Sequence, residues 1–233
     1  MLESLKTMAI KGWSNNMVER IFIEEIEKLY LSIQDETASR LEEFKRLWET
    51  GTEKDIFAEL VFCILTPQSK AKLCWAATEK LLSKNLLLKG NKNQIAGELD
   101  GVRFKYKKAG YIVEARKQFS TDGKVFIKSR VAQFRDVYDA RDWLAQNVKG
   151  IGYKEASHFL RNIGLGENLA ILDRHILKNL KSLEIIKEIP GVLSRKRYFE
   201  IEKKMKEFAE KIKISMSHLD LLFWYKETGE VFK

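Results

Sequence analysis

The chain has 233 residues and 45% of them are hydrophobic, enough for a packed core and too many for a disordered chain. Lys and Arg total 42 against 33 Asp and Glu, and the net charge of +9 favours a polyanionic partner, most often nucleic acid. A basic surface that serves only solubility has the same composition. No apolar run approaches the ~20 residues of a membrane span, the N-terminus lacks a signal-peptide pattern, and two cysteines are too few for a four-thiolate metal site.

Apolar residues recur at helical spacing along most of the chain, and no segment alternates apolar and polar residues as a strand would. Ser69 is the expected N-cap of the helix after Pro67, Gly164 is an expected helix end, and Asp173 is an expected helix start. The predicted helices cover 21–33, 55–65, 69–83, 105–119, 135–148, 155–164, 173–183, 194–212 and 217–229. The sequence therefore predicts an all-α fold.

The turn between the helices 135–148 and 155–164 has the sequence VKGIGYKEA. Gly150 and Gly152 allow positive φ and let a phosphate approach the backbone. The N–H groups at the start of the second helix have no acceptor within the helix, and Lys149 adds positive charge beside them. The turn is therefore a candidate phosphate site that would read no base sequence, although GxG also occurs in purely structural turns.

The same run resembles the helix–hairpin–helix motif of DNA-repair glycosylases. Their lyase branch places a lysine two residues after the second glycine, and an aspartate about twenty residues later at the start of the next helix. Lys154 and Asp173 occupy those places, 19 residues apart. Alone, Lys154 would be interpreted as a phosphate-contacting or solvated lysine, and Asp173 as a helix cap. The joint pattern, with a hairpin segment at about 135–164, is more specific than either residue.

Cleavage of an N-glycosidic bond explains why these residue types are needed. Positive charge develops on the sugar, and an amine can attack the anomeric carbon to form a Schiff base. A solvated lysine is protonated and inert, so the amine has to be desolvated. A carboxylate beside the sugar stabilises the cationic transition state and can transfer protons. The iminium then permits elimination of the 3′ phosphate, so that one lysine serves both base removal and strand nicking.

Three further segments, CILTPQSKA (63–71), VRFKYKKAGYIVEAR (102–116) and WYKETGEVFK (224–233), resemble the archaeal and bacterial type 2 8-oxoguanine DNA glycosylases. The resemblance spans roughly 20–233, and the leading residues, which exceed what the family needs, are assigned no role. It implies one glycosylase domain over 1–233, built of two helical subdomains with DNA and the flipped base in the cleft between them. The lack of four clustered cysteines argues against the iron–sulfur branches of the superfamily.

The resemblance also implies a set of residues around the extruded base. Phe104 and Trp224 are expected to stack on it, and Gln68 to fill the gap left in the duplex. The resemblance implies that Lys233 reaches the base pocket, whereas His175 is a candidate for contacting the DNA backbone because it follows Asp173 and Arg174. In the base pocket an acceptor aimed at N7 would separate 8-oxoguanine, which carries a proton on N7, from guanine, which does not. The alternatives are core aromatics, a solvated loop glutamine and a disordered tail.

The sequence thus predicts a bifunctional 8-oxoguanine DNA glycosylase/AP lyase that acts as a monomer on lesion-containing double-stranded DNA, with no membrane partner. It is expected to be cytoplasmic and associated with the nucleoid, and to need no organic cofactor or catalytic metal. Two alternatives stay open: a glycosylase of the same fold for another lesion, and a non-catalytic helix–hairpin–helix DNA-binding module. Borohydride trapping separates catalysis from binding, and a panel of lesion duplexes separates the two enzymes.

Overall fold

The structure, a computed structural model, describes residues 15–233, and side-chain burial from residue 20 onward. Most of the leading segment therefore lies outside the described residues. Over the described range the chain forms twelve helices and one short antiparallel hairpin, so the predicted all-α class is confirmed. None of these helices combines the length and the apolar character needed to cross a membrane.

Most of the elements follow one another with short connections, and the two longest connections are residues 163–173 and 183–194. The helices are α1 (Asn15–Thr50), α2 (Glu53–Leu65), α3 (Ala71–Ser83), α4 (Leu86–Lys89), α5 (Lys92–Gly97), α6 (Lys105–Gln118), α7 (Ile127–Val131), α8 (Val137–Asn147), α9 (Tyr153–Asn162), α10 (Arg174–Ser182), α11 (Arg195–Ile212) and α12 (Met216–Thr228). Strands β1 (Ser120–Thr121) and β2 (Lys124–Val125) pair between α6 and α7, with Ser120 opposite Val125.

The predicted helices from α2 onward are present with their ends within about two residues of the expected positions, the usual scatter of helix boundaries. The first is much longer than the predicted 21–33 and runs to Thr50, because good helix formers continue without Gly or Pro as far as Gly51. The short helices α4, α5 and α7 and the hairpin were not predicted, since each is too short to show a period.

The predicted N-cap at Ser69 is wrong. Lys70 occupies the N-cap position of α3, and its side chain makes no capping hydrogen bond. The Ser69 hydroxyl instead accepts hydrogen bonds from the Arg103 backbone N–H at 3.0 Å and from Lys108 Nζ at 3.1 Å. A long-range role has therefore replaced the local one that a serine before a helix usually has.

The chain divides into two compact units. One unit consists of the described residues up to Ala38 and of Leu172–Phe232, and the other of Ser39–Ile171 together with Lys233. We call them the terminal unit and the hairpin unit, because the second contains the turn between α8 and α9. Helix α1 belongs to both, since it passes from one to the other at residues 38 and 39.

Helix α2 is the core of the hairpin unit. Every residue from Ile56 to Leu65 is buried, and α3, α6, α7 and α9 pack around it. From Ile56 onward the helix is apolar on all sides except at Glu59, as expected for an element enclosed by others. Thr52 and Asp55 form a capping box at its start, and it ends at Leu65 before Pro67, which cannot continue a helix.

In the terminal unit, α12 packs against both α10 and α11. Serines at the N-caps fix where two of these helices begin: Ser194 accepts from the Arg197 N–H before α11, and Ser215 from the His218 N–H before α12. Helix α1 joins this unit through a 3.0 Å hydrogen bond between the Tyr30 hydroxyl and His218 Nδ1. The buried side chains of the three helices form the unit's core, including Ile176, Leu180, Met205, Leu219, Leu222 and Phe223.

Candidate active site

The turn between α8 and α9 depends on one of its two glycines. Gly150 has φ +86°, and a Cβ there would lie 2.5 Å from Cδ2 of Tyr111, so both conformation and space require glycine. Gly152 is the N-cap of α9 with φ −104°, which any residue can adopt. The expectation of positive φ is therefore correct for Gly150 and wrong for Gly152.

The start of α9 is organised by Glu155. Its Oε2 accepts a hydrogen bond from the Gly152 N–H at 3.1 Å, which is half of a capping box. The Gly152 amide is therefore already occupied in this conformation. An anion would have to use other N–H groups of the first turn, which a helix leaves without internal acceptors.

We predict that Gly152→Ala weakens binding to damaged and undamaged duplexes alike. The added Cβ would lie 3.2 Å from Glu155 Oε2, so it would disturb the helix start that the phosphate is expected to approach. Phosphate contacts carry no base information, so both affinities should fall by a similar factor. Fluorescence anisotropy at fixed salt measures them. Gly97→Ala is the matched control, because its Cβ meets nothing within 4 Å. A loss confined to damaged duplex would contradict a phosphate role.

Lys154 lies in the first turn of α9, immediately before Glu155. Its side chain is 22% exposed, and its Nζ lies 3.8 Å from Glu155 Oε1. Burial lowers the pKa of His158 well below its ordinary value, and the positive charge of Lys154 acts in the same direction. The amine is thus partly desolvated at the positive end of a helix, the setting that nucleophilic lysine chemistry needs.

Lys149 is exposed at the start of the α8–α9 turn. Its Nζ lies 2.8 Å from Glu114 Oε2, and this hydrogen bond raises the pKa of Lys149. The pair is exposed on both sides, so solvent screens it and a phosphate could compete for the lysine. The structure is compatible with a DNA-contacting Lys149.

Gln68 and Phe104 have the same unusual backbone conformation. Both are exposed, and both adopt left-handed conformations without being glycine, with φ of +56° and +58°. Phe104 is 56% exposed, and its ring lies 5.7 Å from the guanidinium carbon of Arg103. An exposed aromatic ring beside a cation suits stacking on a nucleobase. Strained conformations of this kind are typical of functional positions.

Lys233, the last residue of the sequence, is held inside the hairpin unit. Its Nζ forms an ion pair with Glu59 Oε1 and lies 3.4 Å from the centroid of the Trp75 ring. Glu59 is 2% exposed, and its Oε2 accepts a hydrogen bond from Asn162 Nδ2 at 3.0 Å. Burial lowers the pKa of the Lys233 amine, and Glu59 opposes that shift.

Glu59 is a functional candidate that the sequence reasoning missed. It is the one carboxylate among the ten buried residues of α2. A lone acid in an apolar helix signals a buried partner, because an unpaired buried charge is strongly disfavoured. The sequence could not show that the partner stands 174 positions away.

In the terminal unit, Asp173 is the N-cap of α10, as predicted. Its Oδ1 accepts hydrogen bonds from the N–H groups of His175 and Ile176, each at 2.8 Å. Among the described residues its Oδ2 accepts none. Capping orients the carboxylate and leaves one oxygen for other interactions, so capping and a catalytic role are compatible.

His175 and Trp224 lie together in the terminal unit. Their rings meet edge to face with centroids 5.3 Å apart, and His175 Nδ1 lies 3.8 Å from Glu227 Oε2. Burial alone would raise the pKa of Glu227, but the hydrogen bond and charge of Lys178 outweigh it, and the pKa is lowered. His175 therefore supports the Trp224 ring, a contact that its sequence position did not reveal.

The candidate residues are divided between the two units. Those of the hairpin unit are Gln68, Phe104, Lys149, Gly150, Gly152, Lys154 and Lys233, and those of the terminal unit are Asp173, His175 and Trp224. Cys63 and Cys74 are buried, and burial raises the pKa of both thiols, to about 11 for Cys74. Neither thiol suits a nucleophilic role, because the reactive form is the thiolate. No cluster of three or more potential metal ligands occurs among the described residues.

A basic, all-α chain with a glycine turn between two helices, followed by a lysine, has the arrangement of a helix–hairpin–helix DNA-binding protein. Comparison with known proteins identifies the particular family. The chain belongs to the 8-oxoguanine DNA glycosylase family Ogg-HhH, whose model matches residues 37–214.

Relatives and solved structures agree with this assignment. An 8-oxoguanine DNA glycosylase/AP lyase of Fusobacterium nucleatum is 48% identical over 217 residues, which cover 93% of this chain and all of the relative. The crystal structure of the Thermotoga maritima 8-oxoguanine DNA glycosylase has a TM-score of 0.83 at 39% identity, with 92% of this chain and all of that chain covered. The Methanocaldococcus jannaschii 8-oxoguanine glycosylase/lyase, in complex with a 15mer DNA containing 8-oxoguanine, has a TM-score of 0.83 at 38% identity, covering 91% of this chain and all of that chain.

Proposed function

We propose that the chain excises 8-oxoguanine from duplex DNA and nicks the strand, with Lys154 as the nucleophile and Asp173 as its electrostatic partner. The activity is that of an 8-oxoguanine DNA glycosylase/AP lyase, the name that its relatives carry. The observation that supports these roles most directly is the position of the Lys154 side chain. It is largely buried in the first turn of α9, directly after a turn that requires glycine at position 150.

The proposed reaction has two bond-breaking steps. The neutral amine of Lys154 attacks C1′ as the bond from C1′ to the base breaks, and the carboxylate of Asp173 stabilises the positive charge that develops on the sugar. The adduct passes an amine proton to the departing base, and its nitrogen lone pair then expels O4′, which takes a proton from solvent as the C1′–O4′ bond breaks. The iminium formed in this way acidifies the C2′ proton. Loss of that proton breaks the C3′–O bond and releases the 3′ phosphate, after which water hydrolyses the iminium and frees Lys154.

Recognition is assigned to residues of both units. Phe104 and Trp224 stack on the extruded base, Gln68 fills the gap in the duplex, and His175 contacts the DNA backbone. The 8-oxoguanine in the DNA complex of the Methanocaldococcus jannaschii relative supports this lesion over others. The chain acts as a single domain spanning 1–233, and it binds DNA in the cytoplasm as a monomer. Sedimentation of the free and DNA-bound protein tests the monomeric state.

Lys233 is assigned to lesion selectivity. The ion pair with Glu59 and the contact with the Trp75 ring fix the last residue beside a buried polar group. A backbone carbonyl oxygen at this position would accept a hydrogen bond from the N7–H group of 8-oxoguanine. It would face a lone pair on guanine and cost about 1–3 kcal/mol, equivalent to roughly 10–100-fold discrimination.

We expect deletion of Lys233 to lower 8-oxoguanine excision strongly while nicking of a preformed abasic site persists. Single-turnover assays on the two duplexes measure the two rates. Deletion leaves the Glu59 charge buried without its cation, which by itself would destabilise the fold. The matched variant therefore combines the deletion with Glu59→Gln, whose amide oxygen can still accept from Asn162. If this variant folds stably and still excises 8-oxoguanine at the wild-type rate, Lys233 has no role in the base pocket.

Borohydride trapping on an 8-oxoguanine duplex tests the proposed function as a whole. Only an enzyme that forms a Schiff base becomes covalently attached to DNA after reduction. A band of the combined mass, with nicked product in its absence, is the expected result. Binding without trapping would support a non-catalytic DNA-binding module, and trapping only on duplexes with other lesions would support a different glycosylase.

A further inference from the structure

Lys108, on α6, is a buried cation outside the residues assigned so far. It is 4% exposed, and its Nζ donates to the carbonyl oxygens of Leu65 and Pro67, each at 2.7 Å, and to Ser69 Oγ at 3.1 Å. An ammonium group has three N–H donors, so this arrangement uses all of them. Burial lowers the pKa of Lys108, the charge of Glu155 opposes that shift, and the three hydrogen-bond acceptors of Lys108 are all neutral oxygens.

The three acceptors of Lys108 belong to a single short segment. Leu65 ends α2, and residues 66–70 connect α2 to α3. This connection contains Gln68, whose left-handed backbone is disfavoured for a residue that is not glycine. The ammonium group therefore holds two carbonyl groups before the strained position and the Ser69 hydroxyl immediately after it. A cation at the C-terminal end of a helix is also favoured by the helix dipole.

Ser69 links this connection to a second strained residue. Its hydroxyl accepts from Lys108 and also from the backbone N–H of Arg103, at 3.0 Å. Arg103 immediately precedes Phe104, which also has a left-handed backbone, and Phe104 is the N-cap of the helix that carries Lys108. Hydrogen bonds thus join the segments of Gln68 and Phe104 through two side chains.

We propose that Lys108 and Ser69 are positioning residues that hold Gln68 and Phe104 in fixed register, so that gap filling and base stacking occur together. The inference rests on the proposed roles of Gln68 and Phe104. A buried cation held by neutral oxygens contributes little to stability, because an apolar side chain in its place would not have the free-energy cost of desolvating a charge. Its geometry instead suits the support of two exposed residues that must meet one nucleotide.

The test compares Ser69→Ala with Ser69→Thr, which retains the hydroxyl, and with Ser83→Ala, an exposed serine elsewhere on the same unit. Single-turnover excision of 8-oxoguanine should fall roughly 10–100-fold in Ser69→Ala, the scale of a small misplacement of a positioned group. It should stay near wild type in the other two variants. Nicking of a preformed abasic site should fall much less, because it needs no stacked base. Equal loss in both reactions, or none, would overturn the proposal.

Lys108→Met extends the test, with Lys117→Met, an exposed lysine of the same helix, as its control. If Lys108→Met does not fold, the positioning role can still be tested by combining Ser69→Ala with substitutions of Gln68 and Phe104. In a Gln68→Ala, Phe104→Ala background, Ser69→Ala should have little further effect on excision, whereas an additive loss would contradict positioning. Wild-type trapping on the abasic duplex reports on the proposed function separately. If the wild type traps and excises while the variants match it, only the positioning role fails.

Discussion

Lys154→Gln is expected to abolish borohydride trapping and strand nicking while duplex binding is largely retained. Glutamine is polar and of similar reach, but its amide nitrogen cannot form a Schiff base. The start of α9 does not depend on Lys154, since Glu155 accepts from the Gly152 N–H. The fold and the candidate phosphate site should therefore survive the substitution, which makes the loss specific to chemistry.

Trapping yield on gels and affinity from anisotropy measure the two properties of Lys154→Gln separately. Lys149→Gln is the informative contrast, because it alters an exposed lysine of the same turn. It should weaken binding, reduce the salt dependence of the affinity, and still permit trapping. If Lys154→Gln were trapped at wild-type yield, another lysine would be the nucleophile and the assignment would be wrong.

Local sequence signals predicted most of the fold. Helical periodicity located the long helices, and Asp173 and Gly164 marked a start and an end that the structure shows. Ser69 failed as a predicted cap because partners 34 and 39 residues away compete for its hydroxyl. A pattern confined to neighbouring residues cannot show such a competition.

Only those parts of the candidate site that belong to a sequence motif could be predicted from the sequence. The hairpin and its lysine have fixed spacing, so their arrangement followed from a short sequence. The burial of Glu59 with Lys233, and the left-handed backbones of Gln68 and Phe104, did not follow. Glutamine and phenylalanine have no preference for positive φ, and only the surrounding contacts impose it.

Asp173→Asn is expected to lower the single-turnover rate of 8-oxoguanine excision by roughly 10²-fold or more, the scale of losing one preorganised electrostatic group. Stability should change little. Asparagine is as good an N-cap as aspartate, and its oxygen can accept the hydrogen bonds that Asp173 Oδ1 takes from His175 and Ile176. The variant therefore removes charge while preserving the start of α10.

Asp136→Asn is the matched control, since Asp136 caps α8 by accepting the Tyr138 N–H at 2.8 Å and is assigned no chemistry. Asp173→Ala completes the comparison. It removes the charge and the cap together, and loss of a cap costs about 1 kcal/mol. If the carboxylate is catalytic, Asp173→Asn and Asp173→Ala should lose similar activity, while only Asp173→Ala should show a lower Tm. If Asp173 is only a cap, activity should follow stability, with Asp173→Asn near wild type. The two outcomes are opposite, so the pair of variants decides between them.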